Sequence, residues 1–299
     1  MVTFLPLFLG LALQPVPSSA ASRVERATAL LGPGWREEAL GPWRLLTDVR
    51  DRSLVSELDR VAAFLPEEYR ARFGLEADAR PGETLVLFAS EASYRTFTRD
   101  ATDPVPPATS GHAGGGFAAA HAGAGPGDAR PAAVHELVHL LTEQAFSFPA
   151  PPWINEGLSE DLAWCRADAK GRLVFDTLDG RSTALRAGDK ILRTESGPRA
   201  TVQSFRERSK AGRVPPLPAL IAPARFLSAD AGERRDAYTA AGLLVRFLLV
   251  GDRARAEKFR AFLREAALGA LADLDALAFT LESDPKTLER EYWRFVRGL

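Results

Sequence analysis

The sequence predicts an α+β fold, and three observations carry that prediction. In the first 130 residues, short apolar runs such as Trp43–Thr47 and Thr84–Ala89 alternate with segments of helical period. Two apolar helices follow, separated by a proline-rich loop. The last third carries helical periodicity only. Strands confined to one end of the chain and helices to the other are the pattern of an α+β domain.

Taken in order, the chain opens with an apolar run from Phe4 to Leu13, then Pro15, Pro17, Ser18, Ser19, Ala20 and Ala21. That pattern reads as a secretory signal peptide over residues 1–20, cleaved after Ala20, although the stretch before the run has no Lys or Arg. The run is too short to span a membrane, and no later stretch reaches that length without charges. The mature chain is therefore expected to be exported, periplasmic or extracellular, with no stable membrane span. Its 38 basic and 39 acidic residues nearly cancel, which argues against nucleic acid as a partner. The single cysteine, Cys165, excludes a disulfide framework and is too far along the chain to anchor a lipoprotein.

Residues 21–130 form the expected N-terminal α+β lobe. Trp43–Thr47 is a strand, and Arg52 to Gly74 is a helix through Leu54, Val55, Leu58, Val61, Ala62 and Leu65, interrupted near Pro66. Thr84–Ala89 is a second, central strand, and Ser90 caps a short helix running to Phe97. Asp103 to Arg130, rich in Gly, Ala and Pro, has linker composition. His112 and His121 within it are expected at the surface.

Residues 131–169 hold the chemistry. In His135-Glu136-Leu137-Val138-His139 the histidines are four apart, so a helix presents both imidazoles from one face to one metal ion. Glu136 then lies beside a metal-activated water, where it can take the proton. Pro131 suits the first turn of this helix, and its apolar circumference predicts burial. Burying two histidines and a glutamate is costly unless they are paired or metal-bound. A prolyl loop, Phe146 to Pro152, leads to a second helix from Trp153 to Ala167. Near its start Glu156 completes a His/His/Glu set with a fourth position open, and Glu160, one turn on, can accept a histidine ring N–H. Two imidazoles and a carboxylate suit Zn2+, one per chain. Cys165, in the apolar pattern of this second helix, reads as a buried inert thiol.

The pattern His135-Glu136-x-x-His139 with Asn155-Glu156-Gly157-Leu158-Ser159-Glu160 resembles the gluzincin metallopeptidases. The longer run from Pro152 is similar to the secreted bacterial branch of the peptidase MA-like superfamily. The order of Tyr238, Leu248–Gly251 and Trp293 further along also follows that branch, with little specificity. The interval from His139 to Glu156 is shorter than in thermolysin or the aminopeptidases, which implies a trimmed loop. The resemblance implies a thermolysin/gluzincin-like zincin, with a mixed sheet beside the zinc helix and a C-terminal helical lobe. It implies a zinc-dependent peptidase acting on a peptide or protein, with Glu136 as general base and Tyr238 as a hydroxyl donor to the oxyanion. It also implies an edge strand over residues 115–120, so that Gly116, Phe117 and Ala118 line the substrate cleft. The residues alone leave Tyr238 open to a packing role and 115–120 to a surface loop.

Residues 170–218 are an irregular insertion, with Leu173–Phe175 as one strand of a hairpin, turns at Gly180 and Gly188–Asp189, and a solvated charged stretch from Ser204 to Arg213. Pro215-Pro216-Leu217-Pro218 marks a border. Residues 219–299 form the helical lobe, with helices at Tyr238–Val250, Ala254–Leu268, Leu271–Leu281 and Pro285–Val296, the last started by Ser283-Asp284-Pro285. Two other functions fit the same residues: a non-catalytic peptide- or cell-wall-binding protein on this scaffold, and a zinc hydrolase acting on a non-peptide amide. The intact Glu136 argues against the first, since binding needs no base.

Overall fold

The computed structural model describes residues 20–99, 110–122, 126–168, 172–175, 186–187, 190–191 and 198–299. The apolar run before Ala20, expected to be a signal peptide, and the turns expected at Gly180 and Gly188–Asp189 lie outside these residues. The α+β class holds. Helix α1 (Ala20–Leu30) precedes β1 (Arg36–Leu40) and β2 (Trp43–Thr47), and α2 (Arg52–Phe73) leads to β3 (Thr84–Phe88). Then come α3 (Glu91–Arg99), β4 (Gly111–Gly114), β5 (Phe117–His121), α4 (Pro126–Ala145) and α5 (Pro152–Ala163). The short strands β6 (Cys165–Ala167) and β7 (Leu173–Phe175) pair as a hairpin, as do β8 (Arg186–Ala187) and β9 (Lys190–Ile191). Helices α6 (Pro198–Lys210), α7 (Leu217–Leu220), α8 (Pro223–Phe226), α9 (Ala231–Leu249), α10 (Arg253–Ala267), α11 (Leu274–Thr280) and α12 (Pro285–Gly298) complete the chain.

The main sheet is mixed and five-stranded, in the order β1-β2-β3-β5-β4, with β3 central as its unbroken apolar run predicts. β2, β3 and β5 are parallel, and antiparallel partners close both edges. Alternation along the strands divides the core. Leu85, Leu87, Ala118 and Ala120 pack with α2 and α4, whereas Val86, Phe88, Phe117 and Ala119 pack with α1 and α3.

Several boundaries differ from expectation, each for a physical reason. α2 runs through Pro66 without a break, because burial of Val61, Leu65, Tyr69 and Phe73 offsets the hydrogen bond the proline cannot make. Asp51 accepts from Ser53 and Leu54 N–H at its start, and Gly74 closes it in the left-handed conformation at φ 67°. α4 begins at Pro126, so Pro131 lies inside it; its absent N–H would have met only the carbonyl of the first turn. α5 ends at Ala163, and Cys165 falls in β6, buried as expected but on a strand. α9 begins at Ala231, capped by the Asp230 carboxylate, which places Tyr238 well inside the helix rather than at its opening. The charged stretch from Ser204 belongs largely to α6, which buries Val202 and Phe205. Asp284 caps α12 through Thr287 N–H, as the Ser-Asp-Pro signature predicts.

The edge strand is the main correction. Residues 115–120 are the turn and the first part of β5, which is paired on both sides by β3 and β4. The open edge is β4, Gly111–Gly114. Gly115 and Gly116 have φ of 62° and 75°, a conformation that makes them a turn rather than strand residues. His112 and His121, expected at the surface, are packed among aromatics on the α1/α3 side. His112 Nδ1 is 3.2 Å from the Tyr94 hydroxyl, and burial pushes its pKa down to about 4.

Candidate metal centre

Helices α4 and α5 meet at an antiparallel turn. The loop between them and the start of α5 are tied to the end of α10 and the segment after it: Ser147 N–H donates to Ala267 O, and the Trp153 indole N–H donates to Ala272 O at 2.8 Å. With α5 so placed, Glu156 faces the histidine side of α4. His135 Nε2 and His139 Nε2 lie 3.1 Å and 3.4 Å from the same Glu156 Oε2. One ligand atom from each residue lies within 4.8 Å of the others. A tetrahedral ion with bonds of about 2.0–2.1 Å sets its ligand atoms about 3.3 Å apart, so these spacings are those of a donor set that a zinc-sized ion can fill. The rings of His135 and His139 stand 4.6 Å apart and nearly perpendicular.

The outer nitrogens are also held. His135 Nδ1 is 3.3 Å from Glu160 Oε1, so of the two histidines it is His135 that Glu160 meets. His139 Nδ1 lies 3.1 Å from both Asn155 Oδ1 and Ser159 Oγ. Ser159 spends its own proton on the Asn155 carbonyl, at 2.9 Å, so its oxygen must accept from His139. That places a hydrogen on Nδ1, so Nε2 is the atom that either carries the second proton toward Glu156 or, in the neutral ring, offers its lone pair to a cation. Asn155 and Ser159 were visible in the Asn-Glu-Gly-Leu-Ser-Glu run, yet only the helix packing shows which histidine they serve.

The charges follow from this packing. Burial opposes protonation of His135, but the hydrogen bonds to Glu156 and Glu160 outweigh it and raise its pKa well above the ordinary value. His139 is raised in the same way, burial being overcome by Glu156. Burial also opposes the charge on Glu156, and the two histidines outweigh it, holding that carboxyl well below the usual range. Three groups thus share protons in a half-buried cluster, and these are protons that a divalent cation could replace.

Glu136 lies beside this cluster and packs against β4. It is 5% exposed, and its Oε2 has no hydrogen-bond partner among the described residues. Burial pushes its pKa up to about 7, against the pull of the two histidines. β4 comes so close that a Cβ on Gly111 would lie 2.5 Å from Glu136 Oε1. Gly111 is therefore part of the site, and nothing in the sequence marked it. Of the residues expected to line the cleft, Phe117 and Ala118 are fully buried in β5 and Gly116 is in the turn. The strand beside Glu136 is β4.

Tyr238 reaches the same region from α9. Its ring centroid is 6.3 Å from His135 and 5.6 Å from Phe226. Burial, then the carboxylates of Glu156, Glu136 and Glu160, raise its pKa, so it stays a protonated donor. α9 can approach α5 because both carry glycine at the contact: a Cβ on Gly157 would meet Val245 at 2.8 Å, and one on Gly242 would meet the Glu160 Cβ at 2.7 Å.

No protein-family model and no curated protein matches this chain. No helix among the described residues is long and apolar enough to cross a membrane. What fold and site define is an α+β protein with one half-buried His/His/Glu cluster, the one group of metal-ligand geometry among its described residues.

Proposed function

We propose that this chain is an exported zinc-dependent peptidase of gluzincin type, with a thermolysin-like arrangement of sheet, metal helix and helical lobe. The observation that carries the reading is the convergence of His135 Nε2, His139 Nε2 and Glu156 Oε2, with the unpartnered carboxylate of Glu136 beside them. Zinc held by these three residues would supply Lewis acidity, lowering the pKa of a water toward neutrality and polarising a carbonyl. Glu136, with a pKa near 7, takes the proton of the attacking water and returns it to the leaving amine. Glu160, Asn155 and Ser159 hold the imidazoles in the tautomer and orientation that the reaction needs. The Tyr238 hydroxyl donates to the oxyanion as the tetrahedral centre forms.

The substrate is an extended peptide lying along β4. His121 N–H bonds Ser110 O, so in this antiparallel register Ser110, His112 and Gly114 direct their backbone groups to β5. Gly111 and Ala113 direct theirs outward, beside Glu136, where an added strand pairs with them. The signal-like run at residues 1–20 and a net charge of only −1 agree with an unfolded polypeptide substrate outside the cytoplasm.

The test is metal content by mass spectrometry on wild type, Glu136→Ala and Glu156→Ala, with casein cleavage measured alongside. One zinc per chain in wild type and Glu136→Ala, loss in Glu156→Ala and cleavage by wild type alone are expected. No stoichiometric zinc in wild type, even after adding it, overturns the reading and favours a binding protein on this scaffold. Zinc without cleavage of any peptide, but with hydrolysis of wall fragments, moves the substrate to a non-peptide amide.

A further inference from the structure

We propose that Glu143 is a positioning residue that sets the height of the edge strand β4 against the Glu136 carboxylate. The inference rests on the peptidase reading for its catalytic consequence, and on geometry alone for the contact. Glu136 and Glu143 are seven positions apart on α4, about two turns, and so share one helix face. That face is the one β4 lies along. At one end of the strand Gly111 packs on Glu136 with no room for a Cβ. At the other, Gly115 N–H donates to both carboxylate oxygens of Glu143, at 3.0 and 2.9 Å.

The turn is gripped from its other side as well. Arg23 on α1 donates to Gly114 O at 2.6 Å, so the tip of the β4–β5 hairpin is held between α1 and α4. A two-residue glycine turn has little stiffness of its own, because glycine loses the most conformational freedom on ordering. β4 is also an edge strand, with a ladder on one side only. Its axial position relative to α4 therefore depends on ties at the tip, and Glu143 is the tie that comes from the helix carrying the base and both histidines. If the tie is lost, the outward groups of Gly111 and Ala113 shift against Glu136, and a bound peptide is presented to the base at the wrong height. The chemistry at the metal residues is untouched.

The experiment compares wild type, Glu143→Ala and Glu143→Gln using fluorescein-labelled casein, zinc analysis, melting temperature and amide exchange over residues 110–122. Glu143→Ala is expected to raise KM about tenfold, the worth of one charge-assisted hydrogen bond, with kcat, zinc content and melting temperature held. Its hairpin should exchange faster. Glu143→Gln, which keeps one acceptor oxygen, should recover most of KM and exchange protection. Unchanged KM and exchange in Glu143→Ala would overturn the proposal, and so would a fall in kcat and melting temperature alongside the rise in KM, the mark of general loosening. If wild type cleaves no casein, the peptidase reading fails separately. Exchange then decides the contact: faster in Glu143→Ala supports it, and unchanged refutes it.

Discussion

Replacing Gly111 by alanine tests the placement of β4 against the base with one methyl group. The new Cβ would stand 2.5 Å from Glu136 Oε1, 2.6 Å from its Cγ and 2.8 Å from the Ala119 carbonyl oxygen. Against an ordinary contact of about 3.5 Å, relief requires a displacement of about 1 Å. The Ala119 oxygen belongs to the backbone of β5, which is paired on both sides, so the strand cannot retreat that way. The Glu136 carboxylate must move, or β4 must lift off α4. A misplacement of about 1 Å at a reacting group costs on the order of 100-fold in rate, equivalent to about 2.7 kcal/mol of transition-state stabilisation. Overpacking costs a further 1–3 kcal/mol or so of folding stability, visible as a melting temperature lower by about 5 °C. The assay is kcat/KM on casein with zinc content and thermal unfolding measured on the same preparation. The expected result is the rate loss with zinc retained, because the new methyl group would meet Glu136 and Ala119 and none of the three residues that would hold the metal. A Gly111→Ala protein with wild-type turnover and melting temperature would refute the packing of the edge strand on Glu136.

Tyr238→Phe should lower kcat by about 100- to 1000-fold without loss of zinc, as for an oxyanion donor; wild-type turnover would leave Tyr238 as a packing residue. Glu160→Ala should weaken zinc binding about 10- to 100-fold in a competition titration with a chromogenic chelator, and equal affinity would show that its contact with His135 is incidental. Asp161, fully buried, forms a two-point ion pair with Arg72 of α2, one bond at 3.0 Å. Asp161→Ala removes this ion pair from a largely buried guanidinium and should cost up to about 3 kcal/mol in denaturant unfolding. Stability of the chelator-treated chain should fall as pH rises. The raised His135 and His139 contribute fully below the unfolded value of 6.5 and lose their contribution through their folded pKa values, and Glu136 loses stability as pH climbs from 4.5 to about 7. Glu156, held low, contributes above 4.5 and is lost only as pH falls. Thermal scans in chelator between pH 5 and 9 check the sign, since a melting temperature that rises toward pH 8 contradicts it. Added zinc should reverse the trend, because metal competes with protons for the same atoms.

The sequence by itself determined the parts governed by local periodicity and short-range geometry. The strands Trp43–Thr47 and Thr84–Phe88, the capped starts at Ser90 and Asp284, and the histidine pair on one helix face were legible because period and capping act within a turn or two. That Glu160 follows Glu156 by one turn, on the side able to reach a ligating histidine, was also legible, but that it serves His135 rather than His139 was decided by the packing of α5 on α4. Tertiary structure alone decided the rest. Which segment forms the sheet edge depended on Gly115 and Gly116 taking positive φ and on β5 inserting between β3 and β4, a choice between pairings that a stretch of Gly and Ala does not encode. The burial of His112 and His121 depended on α1 and α3 covering that face of the sheet. The approach of Gly111 to Glu136, and of α9 to α5 across Gly157 and Gly242, joined residues distant in sequence through the space left by absent side chains. Spacing along a helix names the donors, but only packing between elements sets the distances at which they act.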